Sequence, residues 1–278
     1  MRPVFEISAI FPVDRQRGFT LVEMIVSIVI AGFLVSMVAM FGRGQIEAYL
    51  DVGNRAQLAD EADTAWRRIG RDLQSALPNS VRQNGDFLEF VPIRDAGRYR
   101  ADVDSTGAGD FLDFSSTTDN SFAVLGPGVT VAAGDQLVIF NLGQTGSDVY
   151  AGTSRRAIST AAGSNLSSLQ YTLGAFGQFS LASPQNRFQI VGGPVTYQCN
   201  VAAGTLLRHS GYAFAAIQPT AFGAGATSAV LANDVSACSF SYLPAVLQRN
   251  GMVAVRLALT RNGETVELLH QIDVLNTP

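Results

Sequence analysis

The sequence reads "RGFTLVEMIVSIVIAGFLVSMVAMF" at residues 17–41, and this stretch predicts how the chain is anchored. From Phe19 to Phe41 the side chains are apolar except for Glu23 and a few small hydroxyl residues. At a rise of about 1.5 Å per residue, a helix over this range covers roughly 34 Å, which is enough to cross a bilayer. We therefore predict a transmembrane helix at 19–41.

The composition limits the classes of function that the chain can serve. Its 278 residues carry a net charge of -4 and suffice for one sizeable domain beyond the membrane segment. Without lysine it has no Schiff-base chemistry and no phosphate-loop lysine, and without a basic patch it is a poor nucleic-acid binder. No hydrolase or metalloprotease motif is present, and we expect His209 and His270 to be structural. The sequence therefore indicates a protein that is not an enzyme and carries no resident cofactor.

The charges around the apolar run predict its orientation. Arg2, Arg15 and Arg17 precede it, and acids soon outnumber Arg43 after it, so the N-terminus is expected in the cytoplasm and the C-terminal part outside. Glu23 needs a separate explanation, because a lone acid in a span costs about 2.5 kcal/mol or more unless it is paired or functional. Neither a cleaved secretory signal, which has a short apolar core, nor a plain anchor explains it.

The order of residues in "RGFTLVEMIVSIVI" (17–30) resembles the processing site of type IV prepilins and type II secretion pseudopilins. The resemblance implies that a prepilin peptidase removes a leader, 1–18, by cutting between Gly18 and Phe19. It also implies N-methylation of Phe19 and an assembly role for Glu23, which would pair with the N-terminal amine of a neighbouring subunit. This leader is longer than is common in the family, and a translation start near Val13 would leave a short basic one.

A second helical segment is predicted at 42–78. Apolar and small residues recur there at three- and four-residue steps, from Ile46 through Trp66 to Leu77, and Pro78 ends the pattern. The helix is therefore expected to run from Phe19 to Leu77, with Gly42, Gly44 and Gly53 as weak points. We interpret Trp66 as an anchor of the helix on the domain core, and Arg67, Arg68, Arg71 and Asp72 as a solvated face.

The remaining residues, 79–278, predict a mostly antiparallel β domain and therefore an α+β, pilin-like fold. Short alternating runs separated by turn residues indicate strands. They lie at 86–91, 110–115, 136–142, 168–173, 187–191, 195–199, 205–208, 235–243, 252–260 and 265–274. Asn262-Gly263 marks a hairpin turn, and loops are expected at 101–135, 143–165 and 218–230.

Together with the N-terminal motif, a narrower resemblance covers about two thirds of the chain. "AWRRIGRDLQSALPNSVR" (65–82), "RFQIVGGPVTYQC", "GTLLRHSGY", "DVSACSFSY" and the closing "LHQIDVLNTP" are similar to the O-type minor pilin of the mannose-sensitive haemagglutinin (MSHA) pilus. J-type minor pseudopilins and W-type minor pilins are related. The resemblance implies a subunit held in the inner membrane with a periplasmic C-terminal domain. Its implied partners are other pilins, the prepilin peptidase and the inner-membrane assembly platform.

Two further sets of residues carry chemical predictions. Cys199 and Cys238 are an even pair, read as one disulfide if the domain is exported, the alternative being two buried thiols. "DVDSTGAGDFLD" places Asp102, Asp104, Asp110 and Asp113 at a spacing close to an EF-hand calcium loop. Its last ligand is Asp rather than Glu and no flanking helices are expected, so an ordinary acidic loop is the favoured interpretation.

Three functions follow from these observations. The first is a minor pilin-like structural subunit that joins or primes a type IV, MSHA-type pilus. The second is a J-type minor pseudopilin of a type II secretion system. The third, compatible with the first, is a binding module at the fibre tip whose loops at 101–135 or 218–230 contact a surface or glycan.

Overall fold

The computed structural model describes residues 18–245 and 250–277, apart from the side chains of residues 42 and 43. The leader arginines Arg2, Arg15 and Arg17 lie outside the described residues. A long helix is followed by an antiparallel β region, which confirms the α+β fold class. The chain divides into two compact units, Met1–Gly53 and Asn54–Pro278, and each is described by itself.

The helix, α1, covers Leu21–Gln74 and is shorter at both ends than the predicted 19–77. It continues through all three glycines that were expected to weaken it. At its end, Leu77 N donates to Val91 O (2.7 Å) and Ile93 N donates to Ser75 O (2.8 Å). These bonds replace helical ones with pairing to an extended segment, so the helix ends before it reaches Pro78.

Two short 3-10 helices, Gly174–Phe176 and Val201–Ala203, and sixteen strands make up the rest of the regular structure in the described residues. The strands are β1 (Arg82–Asn84), β2 (Phe87–Phe90), β3 (Ile93–Tyr99), β4 (Ser121–Leu125), β5 (Val129–Val131), β6 (Gln136–Val138), β7 (Arg155–Ile158), β8 (Gly163–Leu166), β9 (Ser168–Thr172), β10 (Arg187–Val191), β11 (Val195–Asn200), β12 (Thr205–Ser210), β13 (Thr227–Ala232), β14 (Val235–Leu243), β15 (Gly251–Arg261) and β16 (Glu264–Val274).

Two sheets share one core with the helical residues of the second unit. One sheet has the order β1-β2-β11-β12-β13 and the other β14-β15-β16, with all neighbours antiparallel. The helix contributes a buried stripe at three- and four-residue steps, made of Leu58, Ala62, Ala65, Ile69 and Leu73. Burying each of the larger side chains stabilises the unit by roughly 1.5–3 kcal/mol, so packing on the sheets holds this segment in place.

Between β2 and β11 the chain forms a closed barrel of six strands in the order β10-β3-β4-β9-β7-β6, while β5 and β8 pair separately. Its interior is filled by aromatic rings such as Phe122 and Phe188, whose centroids lie 5.2 Å apart. Gly97 of β3 is required there, because a Cβ atom would lie 2.7 Å from the Phe188 ring. The barrel is a packed core rather than a ligand-holding cup.

The strand predictions are confirmed where apolar and polar residues alternate along the chain. The loop predictions, which rested on composition alone, are wrong in part. Strands were predicted near β2, β6, β9 to β12 and β14 to β16, and all of these form. The predicted strand at 110–115 is wrong, because Asp113 and Asp119 side chains bond nearby backbone amides and compete with a ladder. The loops predicted at 101–135, 143–165 and 218–230 contain β4, β5, β7, the start of β8 and part of β13.

A network of amides fixes the junction between the helix, the barrel and the C-terminal tail. Asn79, in the left-handed region with φ 59°, donates from its side chain to Asn141 O (3.0 Å) and Asn276 O (3.2 Å). Buried Asn141 donates to Pro78 O (2.8 Å) and accepts from Val149 N (2.8 Å). Because these side chains do not ionise, the junction is held without dependence on pH.

Candidate functional site

The start of α1 is the first candidate site, and Thr20 defines it. Its hydroxyl oxygen accepts from Glu23 N (3.2 Å), and its carbonyl accepts from Met24 N (3.1 Å). Thr20 is therefore the N-cap, and Gly18 and Phe19 precede the helix in non-helical backbone. A Thr-x-x-Glu capping pattern in the sequence could have predicted this boundary.

Glu23 projects from the first helical turn, and its carboxylate makes no hydrogen bond or ion pair with any described side chain. The apolar side chains around it are exposed, from Phe19 (77%) to Phe41 (65%). The hydroxyls of Ser27 and Ser36 are satisfied within the helix by Glu23 O and Phe33 O. The stretch 19–41 is therefore an apolar surface with one acid near its start.

The same helix is long and apolar enough to cross a membrane, judged by length and composition. Its apolar part makes no contact that would bury it within the described chain, unlike the core helix of a soluble protein. Such a surface needs either lipid or other apolar helices to cover it.

The residues proposed for calcium are not brought together. No group of three or more Asp, Glu, His or Cys side chains that could hold a metal ion is found in the part of the chain that the structure describes. Asp104 instead accepts from Thr106 Oγ1 (2.5 Å), Thr106 N (2.8 Å) and Ala108 N (3.0 Å). These hydrogen bonds, chiefly that of the Thr106 hydroxyl, lower the pKa of Asp104. Asp102, Asp110 and Asp113 serve turns in the same way or face solvent, so the geometry gives the calcium interpretation no support.

Both histidines have structural surroundings. His209 is buried, with Nε2 2.8 Å from Gln198 Oε1 and Nδ1 2.7 Å from Ser228 Oγ. Its ring stacks on Phe222 at a centroid distance of 4.1 Å. His270 stacks on Trp66 at 5.3 Å, so Trp66 packs against β16 on one flank of the helix. Among the described residues, Ser228 is the nucleophile-type side chain within hydrogen-bonding distance of an imidazole, and an ordinary buried hydrogen bond explains that contact.

Sequence reasoning missed a buried charge cluster beneath the segment 211–226. Glu89 is fully buried and accepts from Arg82 Nε (2.6 Å) and from the Tyr212 hydroxyl (3.0 Å). Arg82 also donates to the carbonyls of Ala215 and Ala216 and lies 3.5 Å from the Tyr150 ring centroid. Burial raises the pKa of Glu89, while Arg82 opposes that rise. The acid in "FLEF" was a weak signal for this cluster, since its neighbours are apolar.

Asp72 was assigned to a solvated face, and that assignment is wrong. Its Oδ2 accepts from the Tyr197 hydroxyl (2.8 Å) and from Arg208 Nε (2.9 Å), and Arg68 lies 3.3 Å from Oδ1. Burial, followed by the nearby Asp72 charge, raises the pKa of Tyr197. The carboxylate therefore clamps α1 onto β11 and β12.

The two cysteines form a disulfide between Cys199 of β11 and Cys238 of β14, with Cα atoms 5.6 Å apart. The bond joins the five-stranded sheet to the three-stranded sheet beside the core that both share with α1.

One family model matches the chain, the prokaryotic N-terminal methylation motif, over residues 14–39. No curated protein and no solved structure gives a match. The motif, the apolar helix and the antiparallel β domain together support a type IV pilin-like or pseudopilin-like protein. They fit a membrane-anchored structural subunit that interacts with other pilins and with a prepilin peptidase.

Proposed function

We propose that the chain is a minor pilin-like subunit that joins or primes a type IV pilus of the MSHA type. In this proposal the prepilin peptidase cuts between Gly18 and Phe19, and the new N-terminus is methylated. The subunit is stored in the inner membrane with its β domain in the periplasm, and the assembly platform moves it into the fibre or to the fibre tip.

One observation carries the proposal, the lone carboxylate of Glu23 within the exposed apolar stretch 19–41. In lipid or between packed helices such a charge is costly unless it is paired. The α-amino group of a freed Phe19 on a neighbouring subunit would neutralise it, and a subunit out of register would bury both charges unpaired. The pair would thus set the position of each subunit in the fibre.

Replacing Glu23 by leucine tests this role directly. Glu23→Leu should leave leader removal largely intact, because Gly18 and Phe19 are unchanged, and should abolish incorporation into sheared fibres. Glu47→Leu is the matched control, since Glu47 is also exposed on α1 but lies beyond the apolar run. Quantitative immunoblots of fibre and membrane fractions measure both steps. Normal incorporation of the Glu23→Leu subunit would contradict the proposed role.

The alternative within the same class is a J-type minor pseudopilin of a type II secretion system, since the N-terminal motif serves both machines. Deleting the gene distinguishes them, because loss of surface pili supports the first proposal and loss of protein secretion with normal pili supports the second. The barrel from Ile93 to Val191 has a core of its own. It would give a tip subunit additional surface for a binding role, which cell-binding assays with and without the barrel loop 101–120 would test.

A further inference from the structure

Three arginines of the barrel have side chains that form no hydrogen bond and no ion pair within the described residues. They are Arg98 in β3, Arg100 directly after β3, and Arg187 in β10. Each other arginine whose side chain the structure describes contacts a carboxylate or a main-chain carbonyl. The three exceptions lie on neighbouring strands, although Arg187 is distant from the other two in the sequence.

The three arginine side chains share the outer face of the barrel. Side chains alternate between the two faces of a strand, and Tyr99 and Phe188 point into the barrel core. Their neighbours in sequence therefore point outward. The register of the strands places Arg187 directly opposite Arg98, and Cβ atoms of such a pair lie about 4.5–5.5 Å apart. Like charges in that position destabilise a sheet, so this pair has a cost that no described acid offsets.

The loop that follows β3 positions Arg100 on this face. Arg100 N donates to Ala123 O (2.9 Å), so the extended pairing with β4 continues beyond the end of β3. A Cβ atom at Gly109 would lie 3.0 Å from Cδ and Nε of Arg100, so the loop packs closely on the side chain. The Nε atom is buried there without an acceptor, whereas the two terminal amino groups are not buried. The stem of Arg100 is therefore held by the fold, and its end is available at the surface.

The acids nearest to these arginines in the sequence are engaged elsewhere. The carboxylates of Asp95, Asp102 and Asp104 each accept hydrogen bonds from main-chain amides. The Thr106 hydroxyl is the largest cause of the lowered pKa of Asp104, and the Arg100 charge is the smallest. The cluster therefore keeps its positive charge on an exposed face.

We propose that Arg98, Arg100 and Arg187 form a binding site for a phosphate group, which we call the arginine site. A guanidinium group donates two parallel hydrogen bonds to an oxyanion. A phosphate monoester carries a charge of about −1.5 to −2 at pH 7 and three acceptor oxygens, so it suits three uncompensated cations better than a singly charged carboxylate does. Bound between Arg98 and Arg187, it would remove their repulsion. The proposal does not depend on the fibre role.

The binding test uses the full chain in dodecyl maltoside micelles, with isotopically labelled arginine and nuclear magnetic resonance of the side-chain Nε–H groups. Inorganic phosphate replaces chloride at constant ionic strength. We expect the signals of the arginine site to shift together and to saturate. Arg98→Gln and Arg187→Gln should each weaken binding about tenfold or more, and their missing signals assign the spectrum. Arg71→Gln, at an exposed position of α1, is the matched control and should bind as the unaltered chain does.

A second arm of the test distinguishes the source of the phosphate group. Phosphatidylglycerol is mixed into the micelles in place of added inorganic phosphate. Shifts with inorganic phosphate and not with the lipid support a soluble phosphate compound as the ligand. Shifts with the lipid support a lipid headgroup.

Melting temperatures separate phosphate binding from folding. Without phosphate and at low salt, Arg187→Gln should melt at the same temperature as the unaltered chain or higher, because its repulsion with Arg98 is removed. Phosphate should raise the melting temperature of the unaltered chain more than that of the variant.

Four results would overturn the proposal. They are no saturable shift up to about 50 mM phosphate, an equal shift with acetate at the same ionic strength, unaltered binding in both glutamine variants, or a lower melting temperature of Arg187→Gln without phosphate. The last result would show that the arginines stabilise the barrel instead of serving a ligand.

Discussion

At the scale of single residues, His209 couples the five-stranded sheet to the segment 211–226. Since Gln198 Oε1 can only accept, the His209 Nε2 carries the proton and Nδ1 accepts from the Ser228 hydroxyl. Burial lowers the pKa of His209, because the charged imidazolium is poorly solvated there. The neutral ring is therefore the form that the folded protein prefers.

This preference predicts a loss of stability on mild acidification. The unfolded chain takes up a proton at His209 near pH 6.5, while the folded chain resists it, so the free energy of unfolding should fall as the pH drops from about 7 through that value. His209→Gln should remove this part of the slope. Chemical denaturation of both proteins at pH 7.5 and 5.5 measures it; equal slopes for the two would contradict the burial argument. Glu89 acts with the opposite sign and is common to both proteins, so the comparison isolates His209.

At the scale of elements, Asp72 predicts how firmly α1 is attached to the sheets. Asp72→Ala leaves the buried hydroxyl of Tyr197 without its acceptor and should lower the free energy of unfolding by about 1–3 kcal/mol. Tyr197→Phe removes the donor as well, so the double variant should cost less than the sum of the two single ones. Additive costs in a urea denaturation cycle would show that the two groups do not interact.

The elements differ in how far the sequence could predict them. The apolar run could be predicted because its length and hydrophobicity alone indicate a membrane-crossing helix. The hairpin at Asn262-Gly263 could be predicted because turn geometry favours that pair of residues. β4 was hidden in a Gly-, Ser- and Asp-rich region, since its partners β3 and β9 are distant in sequence. Barrel closure depends on these long-range pairings, and no local pattern encodes it. Asp72 was misread and Glu89 was missed because their partners Arg208 and Tyr212 are distant in the sequence.

At the scale of the whole molecule, the disulfide ties together the sheets that enclose the helix. Cys199 and Cys238 are separated by 39 positions, and closing a loop of that length stabilises by about 4 kcal/mol in the chain-entropy model. The double change Cys199→Ala and Cys238→Ala should lower the free energy of unfolding by an amount of that order. Reduction of the unaltered protein is the matched control and should give a similar loss. Equal stability of the reduced and oxidised proteins would contradict this expectation.

The membrane unit and the β unit have separate tasks in the proposed subunit. In the proposal, the apolar helix with Glu23 holds the subunit in the membrane and packs it into the fibre. The β domain with its inserted barrel forms the surface that the assembled fibre exposes. The proposed assembly depends on cleavage between Gly18 and Phe19, because only a freed Phe19 amine can neutralise a neighbour's Glu23.

Mass spectrometry of the mature N-terminus is the most direct test of this cleavage. The protein is purified from cells that contain the native assembly machinery. The proposal predicts a chain that begins at Phe19 and carries one methyl group on its α-amino nitrogen. A mature protein that still carries residues 1–18 would contradict it.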